Sequence, residues 1–202
     1  AQSVAYDMQA LPEPRSASAA ARNPRTGISY IISGQSSAGP VQTILRFTAT
    51  DAPSTPLSVL LPQPLLYAAA AYDQQQDAIV VFGGYDPTGG DVDTIYTVRD
   101  TPQGSSITLE PERLPTPLSG PAAVTDPRNG KIYIAGGSQI IEWNPSQPRG
   151  SRLRSIAQIP GGGLSNAGAA WNSHEHALYI FGGQPNPQQI MRFTPDTGQV
   201  DI

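Results

Sequence analysis

Cysteine is absent from the 202-residue chain, and lysine occurs once. Without cysteine, the chain has no disulfide bonds, no thiolate metal ligands and no cysteine nucleophile. No run of about 18 apolar residues is present, so we predict no membrane span. The 16 acidic residues exceed the 12 basic ones and give a net charge of −4, which argues against a nucleic-acid partner or an anionic membrane surface. The scarcity of lysine and the many Gln, Ser, Pro and Ala residues favour a secreted or extracellular protein.

Motifs of common enzyme sites are also missing. The chain has no Gly-x-Ser-x-Gly elbow, no Gly-x-x-x-x-Gly-Lys phosphate loop and no His-Glu-x-x-His metal motif. Both histidines lie in one short segment, His174-Glu175-His176, which is more typical of a solvated turn than of a metal site. The acidic loop of Asp86, Asp91 and Asp93 matches no calcium-loop spacing. We therefore predict no metal ion and no cofactor.

What the chain does contain is an internal repeat. A short apolar run ends in Gly-Gly, or once in Ser-Gly, at four places: Tyr30 to Gly34, Val80 to Gly84, Tyr133 to Gly137 and Tyr179 to Gly183. The steps between these pairs are 50, 53 and 46 residues. A Leu-Pro or Ile-Pro pair precedes each of them by 22 or 23 residues, beginning at Leu11, Leu61, Leu114 and Ile159. A period of this length is the signature of a propeller or a solenoid.

Each repeat predicts four short strands, punctuated by the chain's 21 prolines and 20 glycines. A small, Ala-rich first strand leads through an Asn- or Asp-containing turn to the apolar second strand, which we expect to be covered on both faces. The third strand carries an aromatic residue in three repeats, Phe47, Trp143 and Phe193, and we expect these to pack between neighbouring units. A fourth strand runs into the Leu-Pro pair. Four antiparallel strands in about fifty residues are typical of a propeller blade.

An apolar strand that ends in Gly-Gly, an aromatic third strand and this period together resemble the kelch repeat. The resemblance covers nearly the whole chain and implies an all-β, kelch-type β-propeller of four-stranded antiparallel blades. It departs from the kelch pattern in three ways: Ser33 replaces a glycine, the usual fourth-strand Trp is missing, and Trp143 lies in the third strand. We predict a single domain over residues 1–202, with repeats at about 12–61, 62–114, 115–159, and 160–202 plus 1–11.

Four repeats pose a question of closure, because kelch propellers usually have six or seven blades. Nine residues follow Phe193, which we take to be too few for a fourth strand, whereas Ser3 to Leu11 form a surplus strand. We therefore predict that this N-terminal strand closes the last blade. A closed four-bladed ring, a homodimer formed by exchange of ends and a fragment of a longer protein all stay open as alternatives. Ala-rich first strands such as Ala68 to Ala71 would suit a narrow axis.

Polar and aromatic residues near the glycine pairs are the candidate ligand-binding residues. They lie either before a first strand or after a glycine pair: Arg15, Gln35, Tyr67, Tyr85, Asp86, Gln139, Asn166 and Gln184. Such side chains in loops suit hydrogen bonding to peptides or sugars and stacking on them. Arg15 resembles the Pro-Arg that opens many kelch repeats, and it either faces the channel mouth or pairs with an acid. We assign no catalytic residue.

Two functions of different classes are compatible with these features. The first is a non-enzymatic binding or scaffold module that presents the loops of one propeller face to a protein, peptide or glycan partner. The second, implied by the resemblance, is a small-molecule isomerase or lyase acting on a sugar, with an axial site of Arg15 and an acid. Fold alone does not separate them. A charged axis would favour the enzyme, and the Ala-rich first strands therefore favour the binding module.

Overall fold

The structure, a computed structural model, describes residues 11–48 and 53–202. All regular secondary structure in these residues is β, and it forms four four-stranded antiparallel sheets and two two-stranded hairpins. The described residues include no helix with the length and apolarity needed to cross a membrane. The prediction of an all-β chain built from repeated four-stranded antiparallel sheets is confirmed.

Every repeat contributes the four strands of one sheet, and the first two repeats each add a two-stranded hairpin. The first repeat contains β1 (Ala19–Arg22), β2 (Ser29–Ile32), β3 (Gln35–Ser36), β4 (Gly39–Pro40), β5 (Thr43–Phe47) and β6 (Thr55–Leu60). The second contains β7 (Ala69–Asp73), β8 (Ala78–Phe82), β9 (Tyr85–Asp86), β10 (Gly90–Asp91), β11 (Ile95–Thr101) and β12 (Gly104–Leu109). The third contains β13 (Ala122–Thr125), β14 (Ile132–Gly136), β15 (Gln139–Trp143) and β16 (Leu153–Gln158). The fourth contains β17 (Gly168–Asn172), β18 (Ala177–Phe181), β19 (Ile190–Thr194) and β20 (Gln199–Asp201).

Each sheet pairs its strands in chain order. Sheet 1 is β1-β2-β5-β6, sheet 2 is β7-β8-β11-β12, sheet 3 is β13-β14-β15-β16 and sheet 4 is β17-β18-β19-β20. The small hairpins β3–β4 and β9–β10 are inserted between the second and third strands of sheets 1 and 2. The second and third strands pair in one register throughout, which matches Ile32 with Ile44, Phe82 with Ile95, Ala135 with Ile140 and Phe181 with Ile190. This register defines equivalent positions in the four sheets.

An Asn or Asp just after or at the end of each first strand specifies the turn that follows. Its side-chain oxygen accepts a hydrogen bond from the backbone N–H two residues later, the mark of an Asx turn. The four bonds are Arg25 to Asn23 (2.9 Å), Gln75 to Asp73 (3.0 Å), Arg128 to Asp126 (2.9 Å) and His174 to Asn172 (2.9 Å). The turns predicted from composition therefore share one mechanism, and the His174–His176 segment belongs to such a turn.

The glycine pair at the end of the second strand permits close approach to the next sheet. Gly84 has a φ of +113°, and its N–H donates to the Leu118 carbonyl at 2.7 Å. A Cβ on Gly83 would lie 2.6 Å from that same carbonyl oxygen, so a larger residue would push the sheets apart. In the first repeat Ser33 stands in for the glycine, and its hydroxyl accepts the Leu65 N–H of the next sheet at 2.7 Å.

Apolar clusters fill the space between consecutive sheets. One member from each side of the three spaces is Ile32 and Val81, then Phe82 and Trp143, then Tyr133 and Phe193. The second strands of sheets 2 and 3 are buried along their whole length, as predicted. Trp143 and Phe193 are 0% exposed, which confirms that they pack between sheets. Phe47 is partly exposed on the outer side of sheet 1, so its expected burial between two sheets is not seen.

The four sheets form a row. Their first strands are in contact in chain order, β1 with β7, β7 with β13 and β13 with β17. In residues 11–48 and 53–202, no contact of comparable extent joins β1 to β17, and ring closure is not seen. Within these described ranges, sheets 1 and 4 each have one face without a neighbouring sheet.

The prediction that too few residues follow Phe193 for a fourth strand is wrong. A tight turn, in which the Gly198 N–H donates to the Thr194 carbonyl at 2.8 Å, brings β20 back against β19, with Val200 opposite Phe193. Because β20 holds the edge of β19, the edge that we assigned to residues 3–11 is occupied by the chain's own C-terminal strand. Residues 1–10 lie outside the described residues.

Candidate functional site

All eight candidate residues lie at one end of the row, where the glycine pairs are. We call this the loop end and define it by residues 13–17, 33–43, 65–67, 83–94, 118–120, 136–139, 164–166 and 182–190. The opposite end carries the Asx turns. The loop end is built on a repeated bridge between the segment before each first strand and the segment after the glycine pair, seen as Ser16 with Gln35, Leu66 with Tyr85 and Ser165 with Gln184. Backbone pairing therefore fixes most of the candidate residues.

A row of left-handed residues runs across the four sheets at the loop end. Each member precedes a first strand by two residues and has a positive φ: Ala17 (54°), Tyr67 (54°), Gly120 (69°) and Asn166 (55°). Backbone hydrogen bonds link them in sequence, from the Tyr67 N–H to the Ala17 carbonyl (2.8 Å), from Gly120 to Tyr67 (2.8 Å) and from Asn166 to Gly120 (2.7 Å). Non-glycine residues in this conformation are uncommon and stored strain of this kind is often found at functional sites.

Two tyrosines project from sheet 2 at the loop end. Tyr67 is 48% exposed and Tyr85 is 38% exposed, which is high for aromatic rings. Neither belongs to a mobile tip, because Tyr67 is held on both sides by the left-handed row and Tyr85 exchanges two backbone hydrogen bonds with Leu66, at 2.7 and 2.9 Å. Rigid, exposed tyrosines lose little conformational freedom when they bind a ligand.

Amide side chains lie on the other side of Gly120. A Cβ on Gly120 would meet the Asn166 Oδ1 at 2.5 Å, so the Asn166 carboxamide lies directly over this glycine. Tyr67 and Asn166 thus occupy the left-handed positions on either side of a position without a side chain. Gln184 is exposed, and its backbone is paired with Ser165 on the segment that leads into Asn166. Sequence reasoning missed Gly120. Tyr67, Gly120 and Asn166 nevertheless share a spacing, since each lies six or seven residues after the first residue of its Leu-Pro or Ile-Pro pair.

The remaining candidates have partners of their own. Gln35 is partly exposed in the β3–β4 hairpin, and its Nε2 donates to the Ser36 carbonyl at 3.2 Å. Asp86 accepts hydrogen bonds from the Thr88 N–H and hydroxyl, both at 2.8 Å, and these bonds lower the pKa of Asp86. Gln139 accepts a hydrogen bond from the Ser155 hydroxyl on β16 at 2.5 Å, which directs it to the outer edge of sheet 3. Binding roles for these residues stay predictions.

Arg15 is enclosed at the loop end. Its side chain is 2% exposed and pairs with Glu13 at 2.9 Å, so it pairs with an acid. Its guanidinium also donates to the Thr43 carbonyl at 3.0 Å and to the Thr43 hydroxyl. The equivalent positions in the other repeats hold the buried leucines Leu65, Leu118 and Leu164. Arg15 therefore occupies a packing position: both terminal nitrogens of its guanidinium donate to this chain, and its buried Nε has no hydrogen-bond partner within the described residues.

A cavity of about 430 Å³ lies at the opposite end, between the four first strands, and we call it the axial cavity. Its floor consists of small side chains, among them Ala21, Ala70, Ala71, Ala123 and Val124. Four equivalent positions at the ends of the first strands form its rim: Arg22, Tyr72, Thr125 and Trp171. Arg22 is the one charged side chain in the lining that the structure describes. Sequence reasoning missed this rim, although its members share one register position directly before the Asx turn.

The rim is held by contacts within the protein. Trp171 stacks on Tyr133 with ring centroids 6.0 Å apart, and the Arg128 guanidinium lies 5.5 Å from the Trp171 ring centroid. The Tyr72 hydroxyl donates to Asp77 at 2.5 Å, and burial together with this bond raises the pKa of Tyr72 to about 12. In residues 11–48 and 53–202, no three His, Cys, Asp or Glu side chains come together in a way that could hold a metal ion.

Comparison with known proteins bears on the fold. No protein-family model matches the chain, and no curated protein matches it. Among solved structures, the chain is similar to the one described as "Structure of YjhT", with a TM-score of 0.72 and 17% sequence identity. The match covers 95% of this chain and 66% of that one, so the chain spans about two thirds of that protein's length. At this identity the likeness concerns the fold alone.

Proposed function

We propose that the chain is a kelch-type β-propeller module that binds a glycan through its loop end and performs no chemistry on it. The kelch assignment is supported by the glycine-pair repeat and by four antiparallel sheets in a row. The observation that carries the binding role is the pair of exposed tyrosines, Tyr67 and Tyr85, on a backbone that hydrogen bonds fix between sheets. Aromatic faces stack on the apolar faces of sugar rings, and the nearby amides of Asn166 and Gln184 suit sugar hydroxyls.

The charge of the loop end argues against an anionic ligand, because its ranges hold the acids Glu13, Asp86, Asp91 and Asp93 and a single basic residue, Arg15. Asp86 is the one charged member among the candidates with exposed side chains, and its oxygen is already engaged by Thr88. Arg15, the one basic candidate, is buried and paired. A peptide is the next alternative, because the same tyrosines and amides would also contact an extended backbone.

The lining of the axial cavity supports a module without catalytic activity. General acid–base chemistry needs two titratable groups held close to the reacting atoms. Among the described lining residues the cavity offers Arg22 and the Tyr72 hydroxyl, and that hydroxyl is bound to Asp77. Arg15, the residue on which a sugar isomerase or lyase would depend, is not part of this lining. No observation favours the enzyme over the binding module.

Binding of the purified protein to a glycan array and to a peptide array tests the proposal. The most informative variant is Tyr67→Asn, because it removes the ring and introduces the residue that holds the same left-handed position at Asn166. Gln74→Ala, in the axial cavity, is the matched control. We expect neutral oligosaccharides to bind, Tyr67→Asn to weaken this binding about tenfold or more, and Gln74→Ala to leave it unchanged.

Each outcome of the array experiment distinguishes the alternatives. Binding of peptides alone, weakened by Tyr67→Asn, would replace the glycan by a peptide ligand at the same site. Binding that Gln74→Ala weakens and Tyr67→Asn does not would move the site to the axial cavity and contradict the proposal. Turnover of a bound sugar would contradict the absence of chemistry.

A further inference from the structure

The three junctions between consecutive sheets are built in one way. At each junction, the second glycine of one sheet donates its N–H to the carbonyl two residues before the next left-handed residue: Gly34 to Leu65 (3.2 Å), Gly84 to Leu118 (2.7 Å) and Gly137 to Leu164 (2.7 Å). The left-handed residue of the later sheet then donates its N–H to the left-handed residue of the earlier sheet. Every junction therefore consists of two antiparallel backbone hydrogen bonds above an apolar interface.

Sheet 4 presents the backbone groups that the earlier sheet contributes to a junction. The next donor and acceptor in the pattern are the Gly183 N–H and the Asn166 carbonyl. Among residues 11–48 and 53–202, neither group has a backbone hydrogen-bond partner. At the other end of the row the complementary pair is the Arg15 carbonyl and the Ala17 N–H, which likewise have no backbone partner within the described ranges.

Two apolar residues on the outer face of sheet 4 are exposed at positions that are buried elsewhere, next to the polar pair Tyr179 and Arg192. Phe181 is 44% exposed and Ile190 is 55% exposed. Their equivalents in the other sheets, which all lie beneath a neighbouring sheet, are at most 1% exposed: Ile32, Ile44, Phe82, Ile95, Ala135 and Ile140. Exposure of such residues side by side is the mark of an interaction surface. We call Phe181, Ile190 and the two backbone groups of Gly183 and Asn166 the sheet-4 face.

Sheet 1 carries an apolar side chain at three of the four matching positions and Ser29 at the fourth. At each junction, the later sheet contributes the residues equivalent to Ile79, Val81, Tyr96 and Val98. In sheet 1 these positions are Ser29, Ile31, Leu45 and Phe47, of which all but Leu45 are partly exposed. One chain thus carries both halves of the same junction, one at each end of its row.

We propose that the sheet-4 face binds sheet 1 of a second copy of this chain, which reproduces the internal junction between two molecules. The contact is heterologous, because each internal junction joins the glycine-pair face of one sheet to the opposite face of the next sheet. Two copies close into a ring if the turn per sheet permits, and otherwise the chain extends head to tail. No exchange of strands is needed, since β20 already completes sheet 4.

Sedimentation velocity of the full chain over a wide concentration range tests the proposal. Wild type is expected to associate with increasing concentration, and Ile190→Glu and Phe181→Glu are expected to abolish association. Leu109→Glu is the matched control, because Leu109 is exposed to a similar degree, 46%, on the outer strand β12 of sheet 2. This control should associate as wild type does. Thermal unfolding of all three variants confirms that they are folded.

A mixing experiment tests the heterologous geometry. Ser29→Glu blocks the sheet-1 side, and Ile190→Glu blocks the sheet-4 side, so each variant alone is expected to be monomeric. Mixed in equal amounts, they should form a one-to-one dimer, because each contributes one intact half of the junction. Association of Ser29→Glu alone, as strong as that of wild type, would overturn the heterologous contact. A wild type that stays monomeric at every concentration would overturn the proposal and leave a further sheet of a longer polypeptide as the occupant of this face.

Discussion

The indole Nε1–H of Trp143 donates a hydrogen bond to Oδ2 of Asp73, 3.2 Å away on the neighbouring sheet. Both residues are 0% exposed. Asp73 also accepts the N–H groups of Gln75 and Gln76 in the Asx turn after β7. The bond therefore joins the third strand of sheet 3 to a turn of sheet 2, and it couples the packing of one repeat to the backbone conformation of another.

Truncation of the third-strand aromatic residues should separate inner from outer positions. Trp143→Ala and Phe193→Ala should each lower the free energy of unfolding by about 3–5 kcal/mol, as expected for fully buried aromatic residues. Phe47→Ala should cost less, because Phe47 lies partly exposed on sheet 1. Chemical denaturation of the three variants measures the difference. A cost for Phe47→Ala equal to that for Phe193→Ala would show that the outer face of sheet 1 is covered.

Gly183, the second glycine of the last pair, should be more sensitive to substitution than Gly198. Gly183 has a φ of +87°, and a Cβ there would lie 2.8 Å from the Ser165 carbonyl oxygen. Gly198 has a φ of +72° with no atom within 4 Å of a Cβ, so substitution there adds backbone strain alone. Gly198→Ala should cost about 1 kcal/mol, and Gly183→Ala should cost more because the clash is added to the strain. Equal costs in thermal or chemical unfolding would mean that the close approach at Gly183 is relieved at no cost.

Much of the fold could be predicted from the chain alone because its repeat marks backbone requirements. The glycine pairs mark where a buried strand turns under the next sheet, and the Asn or Asp after each first strand marks an Asx turn. The fourth strand of the last repeat could not be predicted, since it has only three residues after a tight turn, whereas the fourth strands of the other repeats have six.

Less of the candidate site could be predicted. The Pro-Arg sequence at Arg15 suggests a ligand-binding residue. The repeat instead aligns Arg15 with Leu65 and Leu118, because all three lie four residues after the leucine of a Leu-Pro pair. The exposure of Tyr67 and the contact of Asn166 with Gly120 depend on hydrogen bonds between sheets, which no local sequence pattern reveals. The position of Trp171 at the axial cavity could not be predicted either, because the residues that line the cavity with it come from other repeats.

Arg15 should behave as a packing residue. Arg15→Leu, which restores the residue type of the other repeats, should cost less stability than Arg15→Ala, because the Thr43 and Ser33 carbonyls keep other donors while the space stays filled. Neither variant should alter glycan binding once its stability is taken into account. Loss of binding in a stable Arg15→Leu protein would return Arg15 to the ligand site.

The pH dependence of stability should carry the signature of Tyr72. Its pKa in the folded protein is raised to about 12 from an ordinary value of 10.0 by burial and the bond to Asp77. The neutral hydroxyl therefore contributes stability that is complete below pH about 10 and is lost as the pH rises through about 12. Tyr72→Phe should flatten the fall of unfolding free energy over this interval. An unchanged slope, measured by denaturation at several alkaline pH values, would contradict this assignment.

Backbone amide chemical shifts during titration with the best oligosaccharide from the glycan array test the central claim most directly. A binding module that uses its loop end predicts that shifts concentrate at Tyr67, Tyr85, Gly120, Asn166 and Gln184. The amides of Ala70 and Ala123 beneath the axial cavity should be unaffected. Shifts confined to those cavity positions, with Tyr67 and Asn166 unchanged, would contradict the account and assign binding to the axis of the sheets.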